Sequence, residues 1–144
     1  MSAASAPEVV LALVASAHLG FQATVTVLVY PALAGLAGLA DEPTWARAHT
    51  SHSRRITPLV AVLYPALVLS GAWLVVDGPG AAGWTALVGV TVAIGATAVS
   101  AAPTHGRLGR EGPAPALVRR LLLADRVRLA GAVVAALGAA AVAL

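Results

Sequence analysis

Four apolar runs, each long enough to cross a lipid bilayer, restrict the fold of this chain more than any other feature. A helix needs roughly 20 residues to span the hydrocarbon core. Because backbone polar groups in lipid must be hydrogen-bonded within the protein, the runs predict an all-α, integral membrane four-helix bundle, formed by a single domain over residues 1–144. The runs extend over about Val9 to Tyr30, Ile56 to Val76, Trp84 to Ala102 and Leu121 to Leu144.

The positive charges lie in two of the three connections between these runs or at the helix edges beside those connections. All nine are arginines, and the remaining connection and both chain ends carry none. Such an asymmetry is typical of connections that stay in the cytoplasm. We therefore expect a multi-pass cell-membrane protein whose N- and C-termini both lie on the non-cytoplasmic side. The arginines are Arg47, Arg54 and Arg55 in one group and Arg107, Arg110, Arg119, Arg120, Arg126 and Arg128 in the other.

Composition excludes several other classes of protein. The chain is 59% hydrophobic and 10% charged, whereas a soluble domain is about half apolar and about a quarter charged. A net charge of only +3, already explained by topology, argues against a nucleic-acid partner. The absence of cysteine excludes disulfides and thiol chemistry. The abundant glycine and alanine would allow helices to approach closely, and thus a homo-oligomer in the bilayer. Lacking a basic leader and a clear cleavage site, the first helix is expected to be retained.

Polar residues recur along one face of the first run. Side chains four positions apart share a helix face, and polar groups in hydrocarbon are costly, so this stripe should face the bundle interior. In the fourth run, Asp125 and Arg128 are three apart and also share a face. The stripe of the first run consists of His18, Gln22, Thr26 and Tyr30.

The depth of each polar residue can be estimated by counting residues outward from the turn that joins two antiparallel helices, at ~1.5 Å per residue. Residues at equal distances from the turn then lie opposite each other, and we call this alignment the ladder. This ladder puts His18 opposite Pro65 and Tyr30 opposite Ser53. It predicts two polar layers, with Thr26 and Tyr30 between them. The deep layer holds His18, Gln22, Thr97, Asp125 and Arg128, and the cytoplasmic-edge layer holds His49, His52, Arg55, His105 and Arg107.

The second helix is predicted to begin well before its apolar run. Asp41 is a suitable N-cap. From there, Trp45, His49 and His52 recur at helical spacing. Histidines at positions i and i+3 can share a metal ion, and His105 at the same height would add a third imidazole. A transition metal is thus one candidate cofactor, and the alternative is a polar belt beside the lipid headgroups.

The third connection and the start of the fourth helix resemble small bacterial four-helix membrane proteins of the anthrone-oxygenase-like group. The matching segments are Pro103-Thr104-His105-Gly106-Arg107-Leu108 and Ala124-Asp125-Arg126-Val127-Arg128, and Trp45, His49 and His52 before the second apolar run also fit the group. Many members carry an asparagine-like residue where this chain has His105. The named enzymes of the group oxidise polycyclic aromatic anthrones with molecular oxygen and are thought to need no cofactor. The resemblance implies that His105 and Arg128 belong to the site.

The leading hypothesis is a membrane-embedded, oxygenase-like oxidoreductase acting on a lipophilic small molecule that enters from the bilayer. Its candidate catalytic residues are His105, Asp125, Arg128 and His18. Its candidate substrate-binding residues are Gln22, Tyr30, Trp45 and Arg55, and its candidate metal ligands are His49, His52 and His105. The alternative is a non-enzymatic membrane subunit or small carrier, with the polar stripe as a proton or solute path. Haem ligation by His18 ranks last, because the ladder puts no second histidine at its depth.

Overall fold

A computed structural model describes residues 4–39 and 41–143 of the chain. Over these ranges it forms four helices and no strand. Each helix is long and apolar enough to cross a membrane, so the predicted all-α class and the four membrane-length helices are confirmed. Leu144, the predicted end of the fourth apolar run, lies outside the described residues. The helices are α1 (Ala6–Leu39), α2 (Glu42–Asp77), α3 (Ala81–Glu111) and α4 (Pro115–Ala143).

Local sequence signals set the helix ends. The Asp41 side chain accepts a hydrogen bond from the backbone N–H of Thr44 at 3.0 Å, which caps α2 as predicted. Hydrogen bonding to Thr44 also lowers the pKa of the Asp41 carboxyl group. α2 ends at Gly78 and α3 ends before Gly112, with φ angles of +85° and +78° that favour glycine. α4 begins at Pro115, whose missing N–H is tolerated in the first turn of a helix.

All four helices extend past their apolar runs at the same end of the bundle. We call this the arginine-bearing end, because it carries the α1–α2 and α3–α4 connections. α2 shows the effect most clearly, since its 36 residues give a length of about 54 Å, compared with a hydrocarbon core of about 30 Å. The extra turns of α2 precede Ile56 and include His49 and His52.

α1 and α3 each contain one π-helical turn, at Val25–Val29 and Thr97–Ala101. In both turns, the N–H of the residue just before a proline donates to the carbonyl five residues earlier. Pro31 and Pro103 have no N–H to donate, and a proline ring crowds the carbonyl four residues before it. The wider turn relieves that crowding. It also turns the side chains that follow relative to an uninterrupted α-helix, and π turns often occur at functional sites.

Glycines bring the backbones of α3 and α4 into direct contact. A Cβ added at Gly89 would lie 2.3 Å from the backbone nitrogen of Ala135. Cβ atoms added at Gly131 and Gly138 would lie 2.8 Å and 2.6 Å from backbone nitrogens of α3. Small residues are what close helix contacts in lipid require. This seam fixes the antiparallel register of α3 and α4.

The apolar interior is divided into two clusters, one near each end of the bundle. Large apolar side chains also remain exposed on every helix, including Leu13, Val62, Val99 and Leu137 at 67%, 69%, 75% and 67%. An apolar exterior on all sides fits a lipid environment. The cluster at the arginine-bearing end includes Leu33, Trp45, Leu108, Leu117 and Leu121, and the cluster at the opposite end includes Leu11, Ala15, Leu67, Leu74 and Val90.

Replacing Gly89 with alanine should destabilise the bundle. The new methyl group would overlap backbone atoms of α4 that cannot move independently, so we expect a loss of about 1–3 kcal/mol. Gly95→Ala in the same helix is the matched control, because nothing lies within 4 Å of its added Cβ. Thermal unfolding in mild detergent measures both variants. Equal unfolding temperatures for the two would contradict the close α3–α4 contact.

Candidate functional site

Three histidines from α2 and α3 lie in contact at the arginine-bearing end, and we call His49, His52 and His105 the histidine cluster. The ring centroids of His49 and His105 are 5.3 Å apart. His52 stacks on His105 with centroids 5.5 Å apart and ring planes 24° apart. The ladder estimate that placed His105 level with His52 is confirmed. The three rings come together because one face of α2 contacts the part of α3 that follows its π turn.

Hydrogen bonds connect two rings of the cluster to α1. His49 Nε2 lies 3.1 Å from His105 Nδ1, and His105 Nε2 lies 2.9 Å from the hydroxyl of Tyr30. Both nitrogens of His105 are therefore engaged. The two hydrogen bonds can be oriented in either direction. If Tyr30 donates to His105, then His105 donates to His49; the opposite order fits the same atomic positions equally well. The arrangement suits acid–base chemistry.

The cluster does not fit the metal centre predicted from the sequence. A metal site needs several nitrogen lone pairs directed at one point. Here both nitrogens of His105 face other protein groups, and the stacked ring of His52 lies nearly parallel to that of His105 instead of edge-on to a shared point. Among the described residues, no group of three or more histidine, aspartate or glutamate side chains could hold a metal ion.

A buried charged network lies deeper in the bundle and links α1 to α4. Asp125 Oδ1 accepts hydrogen bonds from Gln22 Nε2 at 2.7 Å and from a terminal nitrogen of Arg128 at 3.1 Å. Gln22 Nε2 also donates to Thr26 Oγ1 at 3.3 Å. The Arg128 guanidinium carbon lies 5.7 Å from the ring centroid of Tyr30, within the range of a cation–π contact. Tyr30 therefore joins the deep network to the histidine cluster.

His18 lies in the deep layer but outside this network. Its ring packs edge-on against Tyr64 with centroids 5.5 Å apart, close to the predicted position opposite Pro65. Neither ring nitrogen has a hydrogen-bond partner within residues 4–39 and 41–143. Asp125 makes no hydrogen bond to His18 there; its Oδ1 accepts from Gln22 and Arg128.

Trp45 and Arg55, both predicted to bind substrate, have different surroundings. Trp45 is buried and stacks on His49, with centroids 5.6 Å apart. It therefore supports the histidine cluster. The exposed Arg55 lies with His52 along a groove between α1 and α2. Arg107 forms an exposed ion pair with Glu111 at 2.9 Å.

A cavity of about 230 Å³ brings together residues from all four helices. Its strongest polar groups are Tyr30, His105 and Arg128, and most other lining residues come from α2 and α3. Gln22 and Asp125 do not line it, so they act on it only through Arg128. Thr57 and Ala102 at its rim are exposed. The cavity is lined by Phe21, Tyr30, Ser53, Ile56, Thr57, Val60, Thr97, Ala101, Ala102, His105 and Arg128.

One polar residue of the interior was not singled out from the sequence. The hydroxyl of Tyr64 lies 2.7 Å from Thr97 Oγ1, and its ring covers His18. Tyr64 is one of only two tyrosines in the chain, and it directly precedes Pro65, which the ladder places opposite His18. Its rarity and its predicted depth were the available signals.

No model of a known protein family matches this chain, and comparisons with curated proteins and with solved structures also gave no match. The resemblance to anthrone oxygenases therefore stays a prediction based on short motifs.

Removing Asp125 should cost more than removing the whole charged pair. Asp125→Leu leaves the Arg128 guanidinium buried and unpaired, which typically costs about 3–5 kcal/mol. The double variant Asp125→Leu/Arg128→Met removes both charges at similar volume and should recover much of that loss. Exposed Arg126→Met serves as the neighbouring control. Unfolding in detergent measures these variants, the single variant Arg128→Met and the wild-type protein; purely additive effects of Asp125→Leu and Arg128→Met would contradict a coupled pair.

Proposed function

We propose that the protein is a membrane-embedded, oxygenase-like enzyme that removes a proton from a lipophilic small molecule bound between α2 and α3. The observation that carries this proposal is the convergence of Tyr30, His105 and Arg128 on one cavity of about 230 Å³. A pocket with apolar walls and a few convergent polar groups is the usual form of a small-molecule site.

Access from the bilayer is favoured by the packing of the helices. α3 packs closely along α4, whereas α2 packs mainly against α1. The space between α2 and α3 is therefore the weakest-packed face of the bundle. Since the cavity lies there and has exposed residues at its rim, a lipophilic molecule dissolved in the membrane can enter sideways.

The polar groups have complementary roles in this reaction. The hydrogen-bonded pair of Tyr30 and His105 accepts the proton from an acidic C–H group of the substrate. The Arg128 guanidinium, held by Asp125, stabilises the negative charge that develops on the substrate oxygen. The resulting enolate then reacts with dioxygen from the membrane. For a methylene flanked by aromatic rings, one oxygen atom becomes the new carbonyl, and the other leaves as water with the two hydrogens.

The arginine distribution also supports an orientation for the protein. We assign the arginine-bearing end to the cytoplasm, so that both termini lie on the opposite side of the cell membrane. The histidine cluster then lies at the cytoplasmic edge of the bundle.

Anthrone is a suitable probe of this function, because it is lipophilic and its methylene is acidic. Purified protein in lipid nanodiscs should accelerate oxygen consumption with anthrone. His105→Ala and Tyr30→Phe should each lower the rate on the order of 100-fold, the usual contribution of a positioned acid or base. Arg126→Gln, an exposed substitution near Arg128, should leave the rate unchanged. No acceleration by the wild-type protein, or full activity in His105→Ala, would refute the proposal.

A small carrier is the second candidate, and the deep layer favours it. Within the described part of the chain, His18 Nδ1 and Nε2, Gln22 Oε1 and Arg128 Nε are buried without hydrogen-bond partners. Such groups suit a path for protons or polar solutes. The oxygen measurement separates the two candidates, because a carrier leaves its solute chemically unchanged.

A further inference from the structure

We infer that His105 and His49 form a proton relay that connects the cavity to water at the arginine-bearing end. As the exit for a proton taken from substrate, the relay rests on the proposed function. As a hydrogen-bonded path between Tyr30 and water, it can be tested without any substrate.

The relay has three members in series. The side chain of Tyr30 lines the cavity, and its hydroxyl lies 2.9 Å from His105 Nε2. The opposite nitrogen of the same ring, His105 Nδ1, lies 3.1 Å from His49 Nε2. Both distances are within hydrogen-bonding range. Because each imidazole can accept a proton on one nitrogen and release another from the second, the two rings form a continuous path.

A second, smaller cavity supplies the exit. It has a volume of about 70 Å³, lies beside His49, and is also lined by Glu42 and Arg110, both exposed. Gly109 keeps this space open: a Cβ there would lie 3.5 Å from His49 Cε1 and 3.8 Å from His49 Nδ1. The cavity is polar and large enough to admit water. The outer nitrogen of His49 can therefore exchange its proton with solvent.

The path is limited to these residues on both sides. His52 stacks on His105, but its Nε2 has no hydrogen-bond partner in the described ranges, so it is a bystander. Towards the opposite end, His18 has no hydrogen-bond partner in the described ranges, and the apolar cluster that includes Leu11 and Leu67 lies there. The hydrogen-bonded path from Tyr30 therefore runs towards the arginine-bearing end.

One passage conserves protons and charge. The Tyr30 oxygen receives the substrate proton as its own hydroxyl proton moves to His105 Nε2. His105 Nδ1 then gives its proton to His49 Nε2, and His49 Nδ1 gives its proton to water. One proton enters and one leaves, and both rings finish as the opposite tautomers. Rotation of the rings, or the reverse transfer, restores the starting state.

The decisive test is nuclear magnetic resonance of full-length, ¹⁵N-histidine-labelled protein in nanodiscs. A scalar coupling across the hydrogen bond between His105 Nδ1 and His49 Nε2 is expected in the wild-type protein. His52→Ala should retain it, and His49→Ala should lose it. Absence of the coupling in folded wild-type protein would overturn the relay.

Solvent exchange provides a second measurement that needs no loss of a histidine. Gly109→Ala adds a methyl group beside His49 at ordinary contact distance, so the fold should tolerate it. We expect the exchange of the His49 ring proton with water to slow severalfold, whereas Gly95→Ala should leave it unchanged. An equal exchange rate in Gly109→Ala and the wild-type protein would overturn the assigned exit.

The outcomes separate the relay from the proposed function. Coupling without anthrone turnover would support the relay and refute the oxygenase proposal. Turnover without coupling would do the opposite. If both are present, His49→Ala should lower turnover on the order of 10-fold or more, and added imidazole should restore part of it by replacing the missing ring.

Discussion

A charged pair buried inside an apolar bundle governs the arrangement of this protein. Asp125 and Arg128 lie in the interior at 2% and 5% exposure, where an unpaired charge would be costly. Their side chains are hydrogen-bonded to each other, and Gln22 supplies a further bond to Asp125 from α1. α1 and α4 are therefore fixed relative to each other at the depth of this pair. Because Arg128 also faces Tyr30, the same interaction determines where the cavity has its positive charge.

The position of the cavity follows from uneven helix packing. Glycines let α3 and α4 meet backbone to backbone, and most of the residues that line the cavity come from α2 and α3 instead. α2 packs mainly against α1 and more loosely against α3, so the cavity lies in this looser region near the arginine-bearing end. The two π turns lie at the same level as this opening. Proline chemistry and small residues thus shape a space that polar residues then line.

Much of the architecture could be predicted from sequence because helical rise is nearly constant. The ladder placed His52 beside His105 and Gln22 beside Asp125, and both pairs are in contact. It could not give the direction of each side chain. The three histidines share a level, but the nitrogens of His105 bond to His49 and to Tyr30, which does not fit a metal site.

Other features depend on packing that a single sequence does not display. The π turns are a local response to proline within a tightly packed helix, and proline in α2 produces none. Arg55 shares α2 with His49 and His52, yet it lines the groove between α1 and α2 and not the cavity that holds His105. Trp45 stacks on His49, and the His18 nitrogens have no hydrogen-bond partner in the described ranges; neither arrangement can be read from residue spacing alone.

In the proposed site, Tyr30, His105 and Arg128 act together on one lipophilic ligand. The direct test is an experimental structure in lipid nanodiscs with anthrone bound, under anaerobic conditions that prevent turnover. We expect anthrone between α2 and α3, with its carbonyl oxygen hydrogen-bonded to Arg128 and its methylene carbon beside the Tyr30–His105 pair. Anthrone bound elsewhere, or bound in the cavity with its oxygen directed away from Arg128, would refute this site.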